Sequence, residues 1–322
     1  MNGPSTAAET TPAPVTRLEF DVSWSPGFVS AYLLDGDEPT LVDAGMYSPD
    51  NETELDLEPT DVDHVVVTHP HIDHVGFVEH LVETGEPRVY APDAYRRTLS
   101  TPLSTVERRI ERTVAEAGVP EKMADAATAF TLERVREVRE ALPADSVDVW
   151  IRDGESIDVG GRQFDATITG GHQREHLCFG VDLDGERALF SGDMAIRTFR
   201  AVAVHAGLEP SQREALAAYD EALDRLEAID ADRVYPGHGP VHTELREAIR
   251  TARESLDRLL ERTEAALRPS GTHAVHAAAA RTDDVSSGPW LPEAIAALVA
   301  LERAGRAESY LEDGVRYYVP VE

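Results

Sequence analysis

Apolar residues recur at every second position in many short runs of this chain, and turn residues separate the runs. Residues 18–22, 28–34 and 39–43 read as strands of this kind, with turns at Ser25-Pro26-Gly27 and Asp35-Gly36-Asp37, an antiparallel start to a sheet. Val65, Val66 and Val67 form a β-branched run that reads as a short buried strand, and residues 88–91 read as another. The pattern returns at residues 147–151, 156–159, 163–169, 177–183 and 187–190, punctuated by Asp153-Gly154, Gly160-Gly161 and Asp184-Gly185, which suit hairpins. Residues 233–235 make a last strand in this half.

Helical spacing takes over elsewhere. Val75, Phe77, Val78 and Leu81 predict a helix from Ile72 or Asp73 to about residue 84. Residues 93–142 are rich in Glu, Arg and Ala, and Gly118-Val119-Pro120 breaks them into two helices or more. Ser211 with Glu214 three positions on predicts a capping box opening a helix over 211–229. Further helices are predicted over 243–267 and 291–304, then a hairpin of 307–311 and 315–319. Residues 54–63 read as an acidic loop.

Length and composition shifts divide the 322 residues. Residues 1–16, rich in Ala, Thr and Pro with no basic start, read as a flexible tail and not as a secretory signal. Residues 17–268 form the main domain, with the helical stretch at about 93–142 as an insertion. It is either a packing or dimerising helical pair or a lid or wall over a substrate pocket. Residues 269–322 form a small α+β appendage, winged-helix-like in its order of helix and hairpin.

The chemistry concentrates in residues 68–76, T-H-P-H-I-D-H-V-G, between the buried strand and its helix. Three of the chain's 12 histidines fall within six positions beside an aspartate, too dense for a surface loop rich in histidine by chance. His69 and His71 alternate on an extended backbone and point the same way, while Asp73 and His74 open the helix and point at a second place close by. Imidazoles with a carboxylate suit zinc or a similar divalent ion, and two groups of ligands suggest two ions.

H-x-H-x-D-H after a hydrophobic strand resembles the signature of the metallo-β-lactamase superfamily. Later motifs extend the resemblance in the family's order: the Val42-Asp43-Ala44-Gly45 turn, Thr169-Gly170-Gly171-His172 with Gly170 where proline is usual, Ser191-Gly192-Asp193, and Tyr235-Pro236-Gly237-His238-Gly239. Together they span about residues 18–240. The resemblance implies an α/β fold, a four-layer αββα sandwich. It implies His69, His71 and His172 on a first metal, Asp73, His74 and His238 on a second, and Asp193 bridging them. Asp43 is expected to orient the ligand turn by hydrogen bonds. A hydroxide held between the two ions would be the nucleophile, with Asp73 and Asp193 as the catalytic carboxylates. Zinc is the first expectation for the two divalent ions, with iron or manganese as alternatives. His176, four residues past His172, reads as structural or as supporting the ligands. Arg174 and Glu175 are expected to face solvent, Tyr235 to be core, and His242 to lie on a helix surface. Met46 and Tyr47 either line the site mouth or pack under the Asp43 turn.

The expected activity is hydrolysis of a small acyl compound, a thioester, ester or lactone, as in the glyoxalase II-like branch. A phosphodiesterase or endoribonuclease is the alternative that the appendage suggests, and an iron-dependent oxidoreductase on the same scaffold is a third. A non-catalytic binding protein is the last reading, and the intact ligand set argues against it. Charge bears on that choice. Asp+Glu number 60 against Lys+Arg 30, a formal net charge of -30, and Lys122 is the sole lysine. That excess repels a polyanion at low salt, and the appendage itself holds more acidic than basic residues. With 42% hydrophobic residues the chain is not a disordered acidic one, so a halophilic cytoplasm explains the charge more simply than a cationic partner. The single cysteine, Cys178, excludes an intramolecular disulfide and fits a reducing compartment. No run is apolar and long enough to span a membrane. The expected partner is a small-molecule substrate, with a homodimer open. If self-repulsion dominates, Tm will rise by roughly 5–10 °C between about 0.1 M and about 2 M KCl in scanning calorimetry. A flat or falling Tm would remove the halophilic reading.

Overall fold

The computed structural model describes residues 15–24, 26–48, 51, 58–205, 207–280 and 290–321. Residues 1–14 of the expected tail and 54–57 of the expected acidic loop lie outside that range. Val15 and Thr16, also assigned to the tail, instead open the first strand, where they pair with Leu34 and Leu33.

Six strands form one sheet in sequence order: β1 (Val15–Asp21), β2 (Phe28–Leu34), β3 (Thr40–Val42), β4 (His64–Val66), β5 (Arg88–Pro92) and β6 (Val149–Ile151). The first three are antiparallel, and β3 to β6 run parallel. The second sheet has the order β11 (Arg233–Pro236), β10 (Glu186–Gly192), β9 (Leu177–Leu183), β8 (Arg162–Ile168), β7 (Ser156–Val159). The period of two sends alternate residues to opposite faces. Tyr32, Val66 and Tyr90 from the first sheet meet Phe164, Phe179, Val181 and Phe190 from the second in one buried layer. Their neighbours Ala31, Val65, Val67 and Val89 face outward onto helices α1 (Ile72–Val75) and α2 (Val78–Gly85) and onto Tyr95, Ala141 and Leu142. On the far side, Cys178, Leu189 and Val234 pack under α6 (Ala215–Glu227) and α7 (Leu245–Ala265). The architecture is therefore the four-layer αββα sandwich.

The helical stretch after β5 comprises α3 (Tyr95–Ser100), α4 (Leu103–Glu116) and α5 (Glu121–Ala141). The C-terminal segment holds α8 (Ala274–Ala279), α9 (Trp290–Arg303) and the hairpin β12 (Ala307–Glu312) with β13 (Val315–Pro320). These two regions pack on each other: Val106, Ile110 and Val114 of α4 share a buried cluster with Ala294, Leu298 and Tyr318.

Two local expectations change. The helix after the histidine turn is split, because Gly76 N–H donates to Gly45 O (2.8 Å) and Phe77 N–H to Ala44 O (3.3 Å) instead of continuing the helix. The Ser211 capping box does not form. Pro210–Glu214 make a 3-10 turn, Ser211 Oγ accepts Arg174 Nη1–H (3.1 Å), and Glu214 pairs with Arg303. The two-sheet core makes a stability prediction. Replacing the fully buried Phe179 by Ala should cost about 3–5 kcal/mol in urea unfolding. Phe130→Ala, at a 66% exposed position on α5, should cost under about 0.5 kcal/mol. Equal losses would mean that the sheets do not face each other as described.

Candidate metal centre

The site is built on turns that follow β3, β4, β8, β10 and β11. The first is held by Asp43, whose backbone is left-handed (φ 59°), a conformation aspartate tolerates better than most residues. Its N–H donates to Val66 O (2.8 Å). Its carboxylate then clamps the histidine turn. Oδ1 accepts Thr68 N–H (2.8 Å), and Oδ2 accepts both Thr68 Oγ1–H (2.8 Å) and His74 Nδ1–H (2.8 Å). With its proton committed to Asp43, the Thr68 hydroxyl accepts His69 Nδ1–H (3.0 Å).

The same device recurs at the other rings. His172 Nδ1–H donates to Val202 O (2.8 Å) and His238 Nδ1–H to Phe28 O (2.7 Å). Hydrogen-bond partners assign these tautomers. For His69, His74, His172 and His238 the Nδ1 proton is tied to an acceptor, so each Nε2 presents a lone pair inward.

Those lone pairs converge in two groups. One donor atom each from His69, His71, His172 and Asp193 lie within 4.8 Å of one another, as do those of Asp73, His74 and His238. His69 Nε2 is 3.1 Å from His71 Nδ1, which is 3.0 Å from His172 Nε2. Asp193 reaches both groups. Its Oδ2 is 3.1 Å from His172 Nε2, and its Oδ1 is 3.2 Å from His74 Nε2 and 3.5 Å from His238 Nε2. His238 Nε2 also lies 3.3 Å from Asp73 Oδ2.

Three observations fit a cation at this place. His74 Nε2 and Asp193 Oδ1 are buried and face each other at 3.2 Å without a well-directed hydrogen bond, a juxtaposition that an ion would satisfy. Gly237 leaves the needed room, since a Cβ there would sit 2.5 Å from His74 Cε1 and 2.8 Å from Asp193 Oδ1. The donor set, imidazole nitrogens with carboxylate oxygens, suits zinc and its neighbours.

The electrostatics divide the rings into two kinds. Burial drives His69 well below the ordinary histidine range and His71 to about 3, helped by neighbouring rings. Burial opposes charge on His74 too, but Asp193, Asp43 and Asp73 push it well above its ordinary value. Burial likewise resists ionisation of Asp193 and Asp73. Facing imidazoles overcome it, holding Asp193 well below the carboxylate range and Asp73 at about 2. Ionised carboxylates and the neutral rings of His69 and His71 are forms that bind metals, whereas His74, and His238 raised by Asp193 and Asp73 against burial, must give up a proton to an incoming ion.

His176 lies behind the site, not in it. Asp193 N–H donates to its Nε2 (3.1 Å), and its Nδ1–H donates to Thr169 Oγ1 (2.7 Å). Tyr235 is core, as read from the sequence. Tyr47 packs edge-on against Phe77. Two expectations fail. Glu175 is 1% exposed and accepts from Thr98 Oγ1 (2.6 Å) and Arg174 Nη2 (2.6 Å), so neither side chain of that pair simply faces solvent. His242 is buried, and its Nε2–H donates to Ala195 O (2.9 Å), because the helix begins only at Leu245 and a bridge to Val234 precedes it.

Other contributors gave no motif to read. Val202, which accepts from His172, is held by the C-terminal helix. Glu293 accepts Ala203 N–H (2.8 Å) and pairs with Arg200 (2.7 Å), both side chains being buried. Gln212 Nε2–H donates to Ala203 O (2.6 Å) and Pro292 O (3.0 Å). On the opposite side Tyr32 O–H donates to Pro236 O (2.6 Å) and Arg17 Nη2–H to Gly239 O (2.9 Å), bracketing His238.

Comparison with known proteins agrees with this geometry. The family model described as the metallo-beta-lactamase superfamily matches residues 24–238. The protein named probable metallo-hydrolase YqjP of Bacillus subtilis is 23% identical over 275 residues, 78% of each chain. Among solved structures, a beta-lactamase domain protein from Burkholderia ambifaria superposes with a TM-score of 0.75 at 26% identity, covering 98% of this chain and 97% of that one. A metallo-beta-lactamase family protein from Thermus thermophilus gives a TM-score of 0.77 at 22% identity, covering 95% and 98%, a likeness of fold alone. Gly237→Ala would push a methyl group into the cradle between His74 and Asp193. It should weaken zinc binding by roughly 10- to 100-fold in chelator competition, with the clash lowering Tm of the metal-free protein by only a few degrees. Unaltered affinity would show that no ion sits there.

Proposed function

The chain belongs to the metallo-β-lactamase superfamily, and from that premise we propose a metal-dependent hydrolase acting with two divalent ions, zinc first, on a small acyl substrate: a thioester, ester or lactone. The observation that carries the reading is Asp193, whose two oxygens face two separate ligand groups. His69, His71 and His172 with Asp193 Oδ2 would hold the first ion. Asp73, His74 and His238 with Asp193 Oδ1 would hold the second. Ions so placed supply a Lewis acid for the substrate oxygen and lower the pKa of water toward neutrality. The chain's own residues then fix geometry. His176 anchors the Asp193 backbone, and Asp43 sets the orientation of His69 and His74. Hydrolysis adds the water oxygen to the acyl carbon and breaks its bond to sulfur or oxygen, the proton leaving on the thiol or alcohol.

The acyl reading is favoured over a nuclease by the C-terminal segment. Its described arginines are all engaged: Arg303 with Glu214, Arg306 with Glu264, and Arg316 with Glu116. No basic face is left there for a phosphate backbone among the described residues, and the segment packs against α4 instead. Cys178, buried with its thiol pushed up to about 12, is inert and fits a cytoplasmic setting. Among the described residues no helix is long and apolar enough to cross a membrane.

Metal content and turnover test the reading together. Protein purified without chelator in high salt should carry about two zinc per chain and hydrolyse acyl thioesters, while Asp193→Ala should lose both metal and at least about 100-fold in kcat/KM. Turnover of bis-p-nitrophenyl phosphate in place of thioesters would promote the nuclease. One iron per chain with no hydrolysis would sink both readings in favour of an oxidoreductase.

A further inference from the structure

In a chain with a formal net charge of -30, arginines gather around two adjoining spaces near the His172 turn. A cavity of about 360 Å³ is enclosed by Arg97, Thr98 and Thr101 at α3, Arg109 of α4, Arg174 of the His172 turn, and the 209–211 segment. A neighbouring recess of about 460 Å³ shares Arg97 and Arg174 and adds Arg96 and Arg152. Five guanidiniums thus line two adjoining spaces.

Their partners do not neutralise them all. Arg174 is held by the buried Glu175, Arg109 reaches Glu209 at 3.2 Å, Arg96 and Arg152 share Asp93 at 3.5 and 3.7 Å, and Arg152 also reaches Glu155 at 3.7 Å. Among the described residues Arg97 has no ion-pair partner. The space is also preorganised. Arg174 Nη1 and Nη2 donate to Ser211 Oγ (3.1 Å) and Thr98 Oγ1 (2.7 Å), and Arg139 of α5 fastens α3 from behind by donating to Thr101 O (2.9 Å). Arg174 spends all but one of its N–H groups on Ser211, Thr98 and Glu175, so the unpaired Arg97 offers the fork that matches phosphate oxygens two at a time.

Arg174 connects this space to the centre. It lies two residues from His172 and two from His176, in a turn whose N–H groups are already fixed: Arg174 N–H donates to His205 O (2.9 Å), and His205 N–H to His172 O (2.5 Å). A group bound by Arg97 and Arg174 would therefore lie against the turn that carries His172.

We propose that this cavity is an anion subsite, one that takes a phosphate monoester carried on the leaving-group side of the substrate. The inference rests on the acyl-hydrolase reading and narrows it to thioesters of phosphorylated thiols. It also gives the helical stretch over 93–142 a task, that of forming one wall of the subsite.

Two measurements on the metal-loaded full-length protein test it, both at the lowest salt that keeps the protein folded. In the first, kcat/KM for S-acetyl-4′-phosphopantetheine is compared with that for S-acetylpantetheine, which lacks the phosphate. The wild type should prefer the phosphorylated thioester by roughly tenfold or more. Arg97→Gln should bring the ratio close to one, whereas Arg134→Gln, on the exposed face of α5, should leave it as it was. In the second, calorimetry compares binding of 4′-phosphopantetheine and pantetheine with no turnover needed. The phosphorylated thiol should bind roughly tenfold tighter, and Arg97→Gln should abolish the difference. Equal ratios in wild type and Arg97→Gln, or equal binding of the two thiols, would overturn the subsite. Discrimination in calorimetry without hydrolysis of either thioester would keep the subsite and reject the acyl-hydrolase reading.

Discussion

Lone pairs of five imidazoles and two carboxylates face one another at one edge of the sandwich. Nothing in the protein itself satisfies them all, and His74 Nε2 with Asp193 Oδ1 shows it most plainly. Such an arrangement is costly for a folded chain, and a cation of adequate charge turns the cost into binding. Everything around the centre can be read as keeping these groups from relaxing away from one another.

The restraints are of three kinds. Outer hydrogen bonds fix ring orientation, as Asp43, Val202 O and Phe28 O do for His74, His172 and His238. Glycines let backbones approach. Gly192, with φ +48°, sits where a Cβ would be 2.6 Å from His176 Nε2, and Gly237 lies against His74 itself. Long-range contacts then brace the turns. The buried Arg200–Glu293 pair ties the irregular segment that carries Val202 O to the C-terminal helix, so a region remote in sequence helps to aim His172. A buried pair of this sort adds little net stability but is costly to break one side at a time, which suits a positioning role.

What could be read in advance follows the range of the interactions. The strands were legible because alternation is local, down to β9 at residues 177–183. The H-x-H-x-D-H spacing was legible for the same reason, since strand and helix geometry decide where neighbouring side chains point. The later members, His172, Asp193 and His238, needed the family resemblance, because no local pattern says that their turns meet. Ser211 shows the opposite failure. Its capping-box signal was sound locally, but Arg174, 37 positions away, claims the hydroxyl. Glu175 looked like surface because a charged residue in a turn usually is; only the folded chain brings Thr98 to it across 77 positions. Glu293, inside an alanine-rich helix, carried no signal of any kind before Arg200 and Ala203 N–H were seen beside it.

Charge acts on two length scales here. The excess of acid over the whole chain makes a negative field that draws divalent cations and turns polyanions away. In concentrated salt that field is screened within a few ångströms, about 3 Å at 1 M. Contacts at hydrogen-bond distance survive such screening far better than fields do. The buried Asp193 and its imidazoles would therefore hold a cation in concentrated salt as in dilute. The guanidinium of Arg97, unpaired among the described residues, and that of Arg174, held by hydroxyls, can likewise recognise an anion at contact in a protein whose overall charge would repel it. Arginine suits that task better than lysine, because its fork binds by direction as well as by charge, and this chain places its cations almost entirely in arginine.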